Sequence, residues 1–266
     1  MPKQERIMYS VQRQSLMLEI LEQKGLVEVK NLAEKFSTSK ETIRRDLRLM
    51  EKSGLIKRTH GGAVPIEKNY SQGYEYPLFA REIKKYDEKQ RICKEAAKLL
   101  EDGDTIFLDN SSTTLNFLRY VPNNINLTVI TNSIQVLLVA GELKNNNLSI
   151  VSLGGILNIK NYSLSGMISN PFAKSFFPDK AIMSCRGITE KSGMTDASFL
   201  EVEVKRIMIN NSKKLILLAD YTKFGIVGAI NIGELSEIDC IVTDSKVERE
   251  KLKMFEGYNT QIVIID

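Results

Sequence analysis

The sequence predicts an α/β protein of two parts, a small N-terminal winged helix-turn-helix domain and a larger layered α/β domain. Short helical segments and one hairpin signal fill residues 10–65, whereas apolar strands alternate with helical segments over residues 87–266. In the intervening residues 66–86, apolar residues follow neither helical spacing nor the alternation of a strand. The predicted organisation is therefore a winged helix-turn-helix domain at 10–65, a linker at 66–86, and an α/β domain at 87–266.

Composition narrows the class of protein. Apolar residues make up 42% of the 266 residues, which is enough for a substantial buried core. No window holds the roughly 18 apolar residues of a membrane span, and the N-terminus is too polar for a secretory signal. We therefore expect a cytoplasmic protein that does not associate with membranes.

The cysteines and the histidine argue against a metal site, a cofactor or a histidine-based catalyst. Cys93, Cys185 and Cys240 are far apart in the sequence and form no paired motif, which favours reduced thiols over zinc ligands or disulfides. The single histidine, His60, would have to supply any Ser-His-Asp triad or histidine metal site. We expect no catalytic residues, no metal and no cofactor.

Positive charge is concentrated at the N-terminus. Residues 1–60 hold 13 Lys and Arg against 8 Asp and Glu, whereas residues 61–266 hold 24 against 25. A basic segment on a neutral body is suited to a polyanionic partner at that segment and nowhere else in particular.

Two helices are predicted at the start of the basic segment. Apolar residues recur at helical spacing over 11–24, and Gly25 follows as a natural stop. Leu32, Ala33 and Phe36 mark a second, shorter helix.

A third helix follows, and its faces are sharply divided. Thr38 and Ser39 are both good N-caps, Thr38 because Glu41 completes a capping-box spacing. Ile43, Leu47 and Met50 recur at helical spacing and are expected to face inward. The polar side chains left to the other faces are those of Lys40, Thr42, Arg44, Arg45 and Arg48.

A hairpin completes the N-terminal pattern, with a strand predicted at 55–60 and a tight turn at Gly61 and Gly62. Three helices followed by a hairpin present one helix to the major groove of DNA and a wing to its backbone. Arginine forks in that helix fit guanine edges or phosphates. The predicted DNA-binding residues are Ser39, Lys40, Thr42, Arg44, Arg45, Arg48, Arg58 and His60.

The second half alternates strands with helices, the pattern of a largely parallel sheet. Strands are predicted at 105–109, 127–130, 148–153, 180–183, 215–219, 240–242 and 260–265. Helices are predicted at 89–100, around Leu115, Leu118 and Val121, at 135–143 and at 200–211.

Polar residues follow several of these strands, where a parallel sheet binds its ligands. The Ser/Thr-rich loop after Asp109 opens a helix, and hydroxyls with free N–H groups at a helix start can hold a phosphate; a plain N-cap and turn is the alternative interpretation. The predicted effector-binding residues are Asp109, Ser111, Ser112, Thr113, Thr114, Asn132, Gly154, Lys205, Asp220 and Lys223.

The motifs together resemble the DeoR family of bacterial transcriptional regulators over nearly the whole chain. In the N-terminal part these motifs are LAEKF at 32–36, S-x-x-TIRRDL at 39–47 and RTHGGA at 58–63. In the second half they are D-x-x-STT at 109–114, TNS at 131–133, GG at 154–155, E-x-x-x-KR at 201–206 and D-x-x-KFG at 220–225.

The resemblance implies a repressor of a carbohydrate-metabolism operon that binds double-stranded operator DNA and is released by a phosphorylated sugar. It also implies a sensor domain similar in fold to ribose-5-phosphate isomerase and assembly as a homodimer or homotetramer.

One position departs from the family pattern. Ser111 stands where the family loop usually has glycine, and serine there is expected to narrow the site or change its ligand.

Two other functions fit parts of the sequence. A sugar-phosphate isomerase with a DNA-binding appendage would need a positioned base, for which Glu201 and Glu203 are the candidates. A non-specific architectural DNA binder would have little use for polar strand ends in a large second domain. The regulator is the function we expect.

Overall fold

The computed structural model describes residues 3–66 and 76–266, with side chains from residue 10, and these form two compact units. The first unit contains 3–66 and 76–87, and the second contains 88–266. In these described ranges, every helix lacks either the length or the apolar character needed to cross a membrane. The predicted combination of a helix-turn-helix domain and a parallel α/β domain is confirmed.

The first unit is built from four helices and a three-stranded antiparallel sheet. Its helices are α1 (Lys3–Lys24), α2 (Val29–Lys35), α3 (Lys40–Lys52) and α4 (Leu78–Ile83). Its strands are β1 (Val27–Glu28), β2 (Ile56–Arg58) and β3 (Gly62–Pro65), in the order β1-β3-β2.

The core of the first unit confirms the predicted inward face of α3. Ile43, Leu47 and Met50 are all buried against Met17 and Leu21 of α1 in one apolar cluster. Burying a side chain of this size stabilises a fold by about 1.5–3 kcal/mol. Packing of one face of α3 therefore fixes the orientation of its opposite, polar face.

The hairpin turn differs from the prediction. The strand predicted at 55–60 ends at Arg58, and Gly62 is already paired in β3. Gly62 is needed for close approach and not for the turn, because a Cβ there would lie 1.8 Å from the carbonyl oxygen of Val27 in β1. The placement of the turn at Gly61 and Gly62 was therefore wrong by about one residue.

The segment predicted as a linker contains a helix in its second half. Residues 67–75 lie outside the described residues, and α4 follows Pro77, whose fixed φ suits a helix start. Ala80 and Ile83 of α4 are buried in the core of the first unit. A helix of six residues spans less than two turns, so it leaves almost no periodicity in the sequence.

The second unit contains a seven-stranded, fully parallel sheet. Its strands are β4 (Thr105–Leu108), β5 (Leu127–Thr131), β6 (Leu148–Ser152), β9 (Lys180–Met183), β12 (Lys214–Leu218), β14 (Cys240–Asp244) and β15 (Gln261–Ile265). Their order is β15-β14-β12-β9-β4-β5-β6. All seven strands were predicted from the sequence, within one or two residues.

Helices cover both faces of this sheet, as expected for parallel strands. They are α5 (Tyr86–Ala96), α6 (Ile134–Leu143), α7 (Ser169–Ala173), α8 (Phe199–Asn211) and α9 (Arg249–Leu252). Ile106 of β4 packs with α5 and α6, whereas Phe107 packs with α8 on the other face.

Shorter elements of the second unit were missed in the sequence. These are the hairpin of β7 (Ile156–Asn158) and β8 (Ser163–Ser165), and the antiparallel sheet of β10 (Gly187–Thr189), β11 (Gly193–Asp196) and β13 (Ile230–Gly233). The helix predicted around Leu115 and Leu118 is a 3₁₀ helix, Thr114–Tyr120. The five missed strands have three or four residues and, unlike β4 and β9, no run of three apolar residues, so neither a run nor a twofold alternation distinguishes them.

Candidate functional site

The start of α3 is fixed by two of the predicted DNA-binding residues. Ser39 is the N-cap, and its Oγ accepts a hydrogen bond from the Thr42 backbone N–H at 3.1 Å. The Ser39 and Thr42 hydroxyls also lie 2.9 Å apart, within hydrogen-bond distance. Of the two N-caps that the sequence offered, the structure uses Ser39 and not Thr38.

The polar face of α3 carries exposed cations. Lys40, Arg44, Arg45 and Arg48 are all exposed. Arg44 lies 3.6 Å from Glu41, and Arg48 also pairs with Glu41, but all three side chains are more than half exposed. Arg45 forms no ion pair with any residue that the structure describes. Exposed pairs of this kind contribute about 0–1 kcal/mol, so these arginines are available to a polyanion.

A buried carboxylate, which the sequence did not single out, anchors the underside of α3. Asp46 is fully buried and accepts hydrogen bonds from Arg13 at 2.6 Å, Gln14 at 2.9 Å and Ser10 at 3.2 Å. All three donors lie on α1. Asp46 therefore ties α3 to α1 by a charged contact, in addition to the apolar core.

The hairpin of β2 and β3 places the remaining two predicted DNA-binding residues at the surface. His60 is exposed in the turn, and Arg58 is exposed at the end of β2. The Arg58 backbone N–H donates to Glu51 of α3 at 2.8 Å, and its guanidinium lies 3.8 Å from the same carboxylate. The wing is thus fastened to the end of α3.

In the second unit, most of the predicted effector residues lie in the loops that follow β4, β5 and β12, whereas Gly154 follows β6 and Lys205 lies on α8. We call the ends of β4, β5, β9 and β12 and their following loops the sensor edge. Strand β9 lies between β4 and β12 in the sheet. All six residues of the loop 109–114 are buried. Asp109 accepts from Thr114 at 2.6 Å and from the Ser184 N–H, after β9, at 3.1 Å.

Lys205 of α8 is buried next to the sensor edge and forms ion pairs with two carboxylates. Its ammonium lies 3.1 Å from Asp109 and 2.5 Å from Asp196, and it donates to the Ser184 carbonyl oxygen at 2.9 Å. Burial opposes the positive charge, but the carboxylates of Asp196 and Asp109 outweigh it and raise the pKa of Lys205. The Ser184 carbonyl and the Asp196 carboxylate accept hydrogen bonds from this ammonium, and Asp109 adds an ion pair.

Ser111 has no positive φ and is hydrogen-bonded within its own loop. It is absent from the described residues that have positive φ, so its backbone needs no glycine. Its hydroxyl lies 2.9 Å from that of Thr114 and accepts from the Thr114 N–H at 3.2 Å. The Ser111 hydroxyl is therefore engaged with Thr114, the first residue of the 3₁₀ helix Thr114–Tyr120. The expected effect of Ser111 on the ligand stays a prediction.

Asp220 and Lys223 follow β12 on the other side of β9. Asp220 is buried and caps a short helical turn by accepting from the Thr222 N–H at 3.0 Å. Burial opposes its negative charge, but the ammonium groups of Lys223 and Lys89 outweigh it and lower the pKa of Asp220. Lys223 is half-buried and makes no hydrogen bond or ion pair with its side chain to the described residues.

Two amide side chains at the sensor edge have unused acceptors. Among the described residues, Asn110 Oδ1 and Asn132 Oδ1 are buried without a hydrogen-bond donor. The Asn132 amide nitrogen donates to the Leu164 carbonyl oxygen at 3.3 Å, which fixes the orientation of that amide. Nearly all buried polar atoms in proteins have partners, so two such oxygens at adjacent strand ends indicate a binding site.

Gly154 lies after β6, two strands away from Asp109 in the sheet. Its carbonyl oxygen accepts a hydrogen bond from Ser169. A Cβ on the neighbouring Gly155 would lie 2.2 Å from Ser169 Oγ. Positive φ explains this glycine pair, with +65° at Gly154 and +115° at Gly155, and Gly154 lies apart from the Ser/Thr loop.

Lys89 of α5 is a site residue that the sequence did not reveal. It is 3% exposed, and its ammonium donates to Ser112 Oγ at 3.0 Å. In sequence it is one lysine in a mixed-charge stretch, and no motif distinguishes it from the surface lysines around it. Only the packing of α5 against the loop 109–114 brings it to the site.

Both candidate bases for an isomerase form hydrogen bonds or an ion pair with other side chains of the second unit. Glu201 is buried, and it accepts from Asn158 at 3.2 Å, Asn161 at 2.9 Å and Ser163, all in the hairpin of β7 and β8. Glu203 is exposed and pairs with Arg206. Neither carboxylate is placed to abstract a proton at the sensor edge.

Family models match both parts of the chain. Residues 13–69 match a DeoR-like helix-turn-helix domain, and residues 84–245 match a DeoR C-terminal sensor domain. The second match alone covers more than half of the chain. The chain belongs to the DeoR family. The resemblance seen in its motifs is thereby confirmed.

Curated relatives align over almost the whole length. The HTH-type transcriptional regulator GolR of Listeria innocua is 34% identical over 97% of this chain and 100% of its own. The glycerol-3-phosphate regulon repressor of Escherichia coli is 30% identical over 96% of this chain and 99% of its own. These relatives are regulators and not enzymes, as we expected for this DeoR family chain.

A solved structure of ribose-5-phosphate isomerase A from Methanocaldococcus jannaschii has a TM-score of 0.38 and 20% identity, over 52% of this chain and 54% of that chain. A TM-score of this size carries no argument about the function of the DeoR family chain. Its fold assignment rests on the parallel sheet and on the family match.

Proposed function

We propose that this DeoR family regulator represses a carbohydrate-metabolism operon in the cytoplasm, and that a phosphorylated sugar bound at the sensor edge releases it from its operator. The observation that carries the proposal is the composition of that edge. A buried hydroxyl-rich loop, an uncommitted lysine and two unused amide oxygens converge where parallel strands end.

The DNA-binding part of the proposal is supported by the division of α3 into two faces. Its apolar face and Asp46 are buried in the first unit, whereas its arginines are exposed. A helix whose inner face is packed in the core and whose outer face is cationic is suited to entering the major groove. Exposed arginines give most of their affinity through phosphates and bidentate contacts to guanine.

The phosphate end of the effector is assigned to the loop 109–114 and Lys223. The N–H groups of Ser112 and Thr113 make no hydrogen bond to any described residue, and they lie at the start of the 3₁₀ helix Thr114–Tyr120. Backbone N–H groups in such a position bind anions well. Lys223 supplies a cation whose side chain is not committed to a carboxylate in the described chain.

The sugar end is assigned to Asn110 and Asn132. Their buried Oδ1 atoms need hydrogen-bond donors, and the hydroxyl groups of a sugar or polyol supply such donors. Burying an acceptor without a hydrogen-bond donor costs about 1–3 kcal/mol. A ligand whose hydroxyl groups donate to both oxygens is therefore favoured over an apolar ligand. The name of the glycerol-3-phosphate regulon repressor connects that relative with a ligand of this class.

Lys205 and Asp109 are proposed to support the site from below. Because Lys205 is held by Asp109, Asp196 and the Ser184 carbonyl, it neutralises and positions Asp109. Asp109 in turn accepts from Thr114 and the Ser111 N–H and so shapes the loop. In this proposal Lys205 holds the loop in place, and Lys223 contacts the phosphate.

We also propose that the second unit assembles with a second copy of the chain. Helix-turn-helix regulators read two half-sites as dimers, and the second unit exposes a contiguous apolar surface where the hairpin of β7 and β8, α7 and α8 contact one another. Surfaces of this kind mark interaction sites. The exposed residues are Ile156, Leu157, Ile159, Met167, Ile168, Phe172, Phe199 and Leu200.

The DNA-binding proposal is tested by selecting sequences from a random duplex pool with the full chain. We expect enrichment of a site with two related halves, spaced by one turn or multiples of about 10 base pairs. An unenriched pool would instead indicate an architectural DNA binder and would contradict the proposal.

The effector proposal is tested by a thermal-shift screen of phosphorylated sugars, each beside its unphosphorylated form. A ligand at 100 times its Kd stabilises the folded protein by about 2.7 kcal/mol. We expect at least one phosphorylated sugar to raise the Tm while its unphosphorylated partner does not. If no member of a panel from three to seven carbons shifts the Tm, the effector class is wrong.

A further inference from the structure

Lys89 occupies an unusual position for a lysine. It lies near the start of α5 and is 3% exposed, although lysine is seldom buried in proteins. Its ammonium donates to the hydroxyl of Ser112, in the middle of the loop 109–114. The side chain therefore brings its ammonium group to the hydroxyls of the sensor edge.

Lys89 and Lys223 lie on different elements of the second unit, and both act on the carboxylate of Asp220. Ser112 follows β4 and Asp220 follows β12, and the end of β9 lies between them. Both lysines lower the pKa of Asp220 against the opposing effect of its burial. Both ammonium groups thus lie within electrostatic reach of one carboxylate, with Lys89 in contact with the loop and Lys223 on the far side of β9.

We propose that Lys89 is a phosphate-binding residue of the sensor edge, paired across the end of β9 with Lys223. The inference rests on the proposed function and adds to it a second cation on a different element. A phosphate oxygen can accept the hydrogen bond that Ser112 Oγ now accepts, and it does so with charge assistance. The ligand class is a phosphate monoester, whose two negative charges match two lysines.

The position of Lys89 in the chain gives this contact a regulatory consequence. The first residues of α5, Tyr86 and Asp87, belong to the first unit. Tyr86 is buried in the core of that unit, and Asp87 accepts a hydrogen bond from Gln12 of α1 at 3.1 Å. A ligand that moves Lys89 therefore acts on a residue only two positions along the chain from the DNA-binding unit.

The test measures binding of inorganic phosphate to the full chain by ³¹P NMR line broadening. The variants are Lys89→Met, Lys89→Arg, Lys223→Met and, as a matched control, Lys213→Met. Lys213 is an exposed lysine that pairs with Asp179 at the opposite end of the sheet. Binding to the selected DNA shows that each variant is folded.

We expect Lys89→Met and Lys223→Met each to weaken phosphate binding by about 10- to 100-fold, the value of one charge-assisted hydrogen bond. Lys89→Arg should retain most of the affinity because it keeps the charge, and Lys213→Met should bind like the wild type. Equal losses in Lys89→Met and Lys89→Arg would show that Lys89 only packs against the loop, and would overturn the inference.

Two further outcomes separate this inference from the proposed function. If Lys223→Met loses phosphate while Lys89→Met binds it normally, Lys89 is not a ligand and the proposed function stands. If the wild-type chain binds no phosphate at all, the proposed effector class fails, and the role of Lys89 fails with it.

Discussion

The two sites of this DeoR family chain use positive charge in opposite ways. On α3, Arg44 and Arg48 are 55% and 52% exposed and share one exposed carboxylate, Glu41. At the sensor edge, Lys205 is 5% exposed and is held between two buried carboxylates, Asp109 and Asp196. Both regions are rich in cations, but breaking an ion pair costs much more free energy at the sensor edge than on α3.

This difference follows from the solvent. An exposed ion pair is worth about 0–1 kcal/mol, so an arginine of α3 can exchange Glu41 for a DNA phosphate at little cost. Removing one partner of a buried pair costs about 3–5 kcal/mol, so Lys205 cannot leave its carboxylates for a ligand. The comparison teaches that exposed cations are available to a polyanion, whereas a buried cation paired with two carboxylates, such as Lys205, holds a site in shape.

Lys205→Met should give the largest effect of the substitutions considered. It leaves Asp109 and Asp196 buried without their cation, and we expect the second unit to lose about 3–5 kcal/mol of its free energy of unfolding. Hydrogen exchange of the backbone amides in β4 and β9 of the full chain measures this loss.

Lys223→Met is the matched control for this comparison. Lys223 makes no side-chain ion pair among the described residues, so the same change should alter the free energy of unfolding by less than about 0.5 kcal/mol. Similar losses for the two variants would show that the two lysines are not held differently, and the distinction between them would be wrong.

Asp46→Ala should be the next largest change. It removes the acceptor for Arg13, Gln14 and Ser10, and we expect a loss of about 2–3 kcal/mol in the first unit because Arg13 regains part of its hydration. Hydrogen exchange of the α3 amides measures it, with the amides of β4 as an internal reference. An unchanged exchange rate would mean that the apolar core alone holds α3.

Arg45→Ala should leave stability unchanged and weaken binding to the selected DNA by about 1–3 kcal/mol if Arg45 contacts a base edge. The loss should then depend on the sequence of the half-site, as fluorescence anisotropy with single-base variants would show. A loss of the same size on every sequence would instead make Arg45 a phosphate contact. Arg206→Ala, in the second unit, is the control that should bind DNA normally.

Glu41→Gln should give the smallest effect, and unlike Arg45→Ala it should strengthen binding to DNA. Glu41 pairs with both Arg44 and Arg48, so removing its charge frees two arginines and removes repulsion from the DNA backbone. We expect DNA binding to become stronger by less than about 1 kcal/mol, with the difference shrinking as salt is raised. Weaker binding would show that Glu41 orients the arginines productively.

Much of the fold followed from the sequence because its signals are local. The apolar runs of the seven parallel strands and the spacing of Ile43, Leu47 and Met50 predicted the sheet and the inward face of α3. The motif containing Arg44 and Arg45 located the exposed cationic face of α3, since adjacent residues in one helix form it. Elements of three to six residues, such as β7 and α4, leave too little periodicity to be recognised.

The sensor edge was predictable only in part because its contacts join distant residues. Asp109, Asn132 and Asp220 could be placed at strand ends, where a parallel sheet brings them together. No sequence pattern distinguishes Lys205, which pairs with two carboxylates, from Lys223, which does not. Nor does any pattern single out Lys89, which contacts Ser112 across 23 positions of the chain.

The central claim is that ligand binding at the sensor edge releases the DNA held by α3. It is tested most directly by fluorescence anisotropy of the selected DNA bound to the full chain, titrated with the phosphorylated sugar that gives the largest thermal shift. We expect the wild type to release the DNA, Lys223→Met to bind it equally well but to require much more sugar, and the unphosphorylated sugar to have no effect. Release of DNA from Lys223→Met at the wild-type concentration, or retention of DNA by the wild type at saturating sugar, would contradict the account.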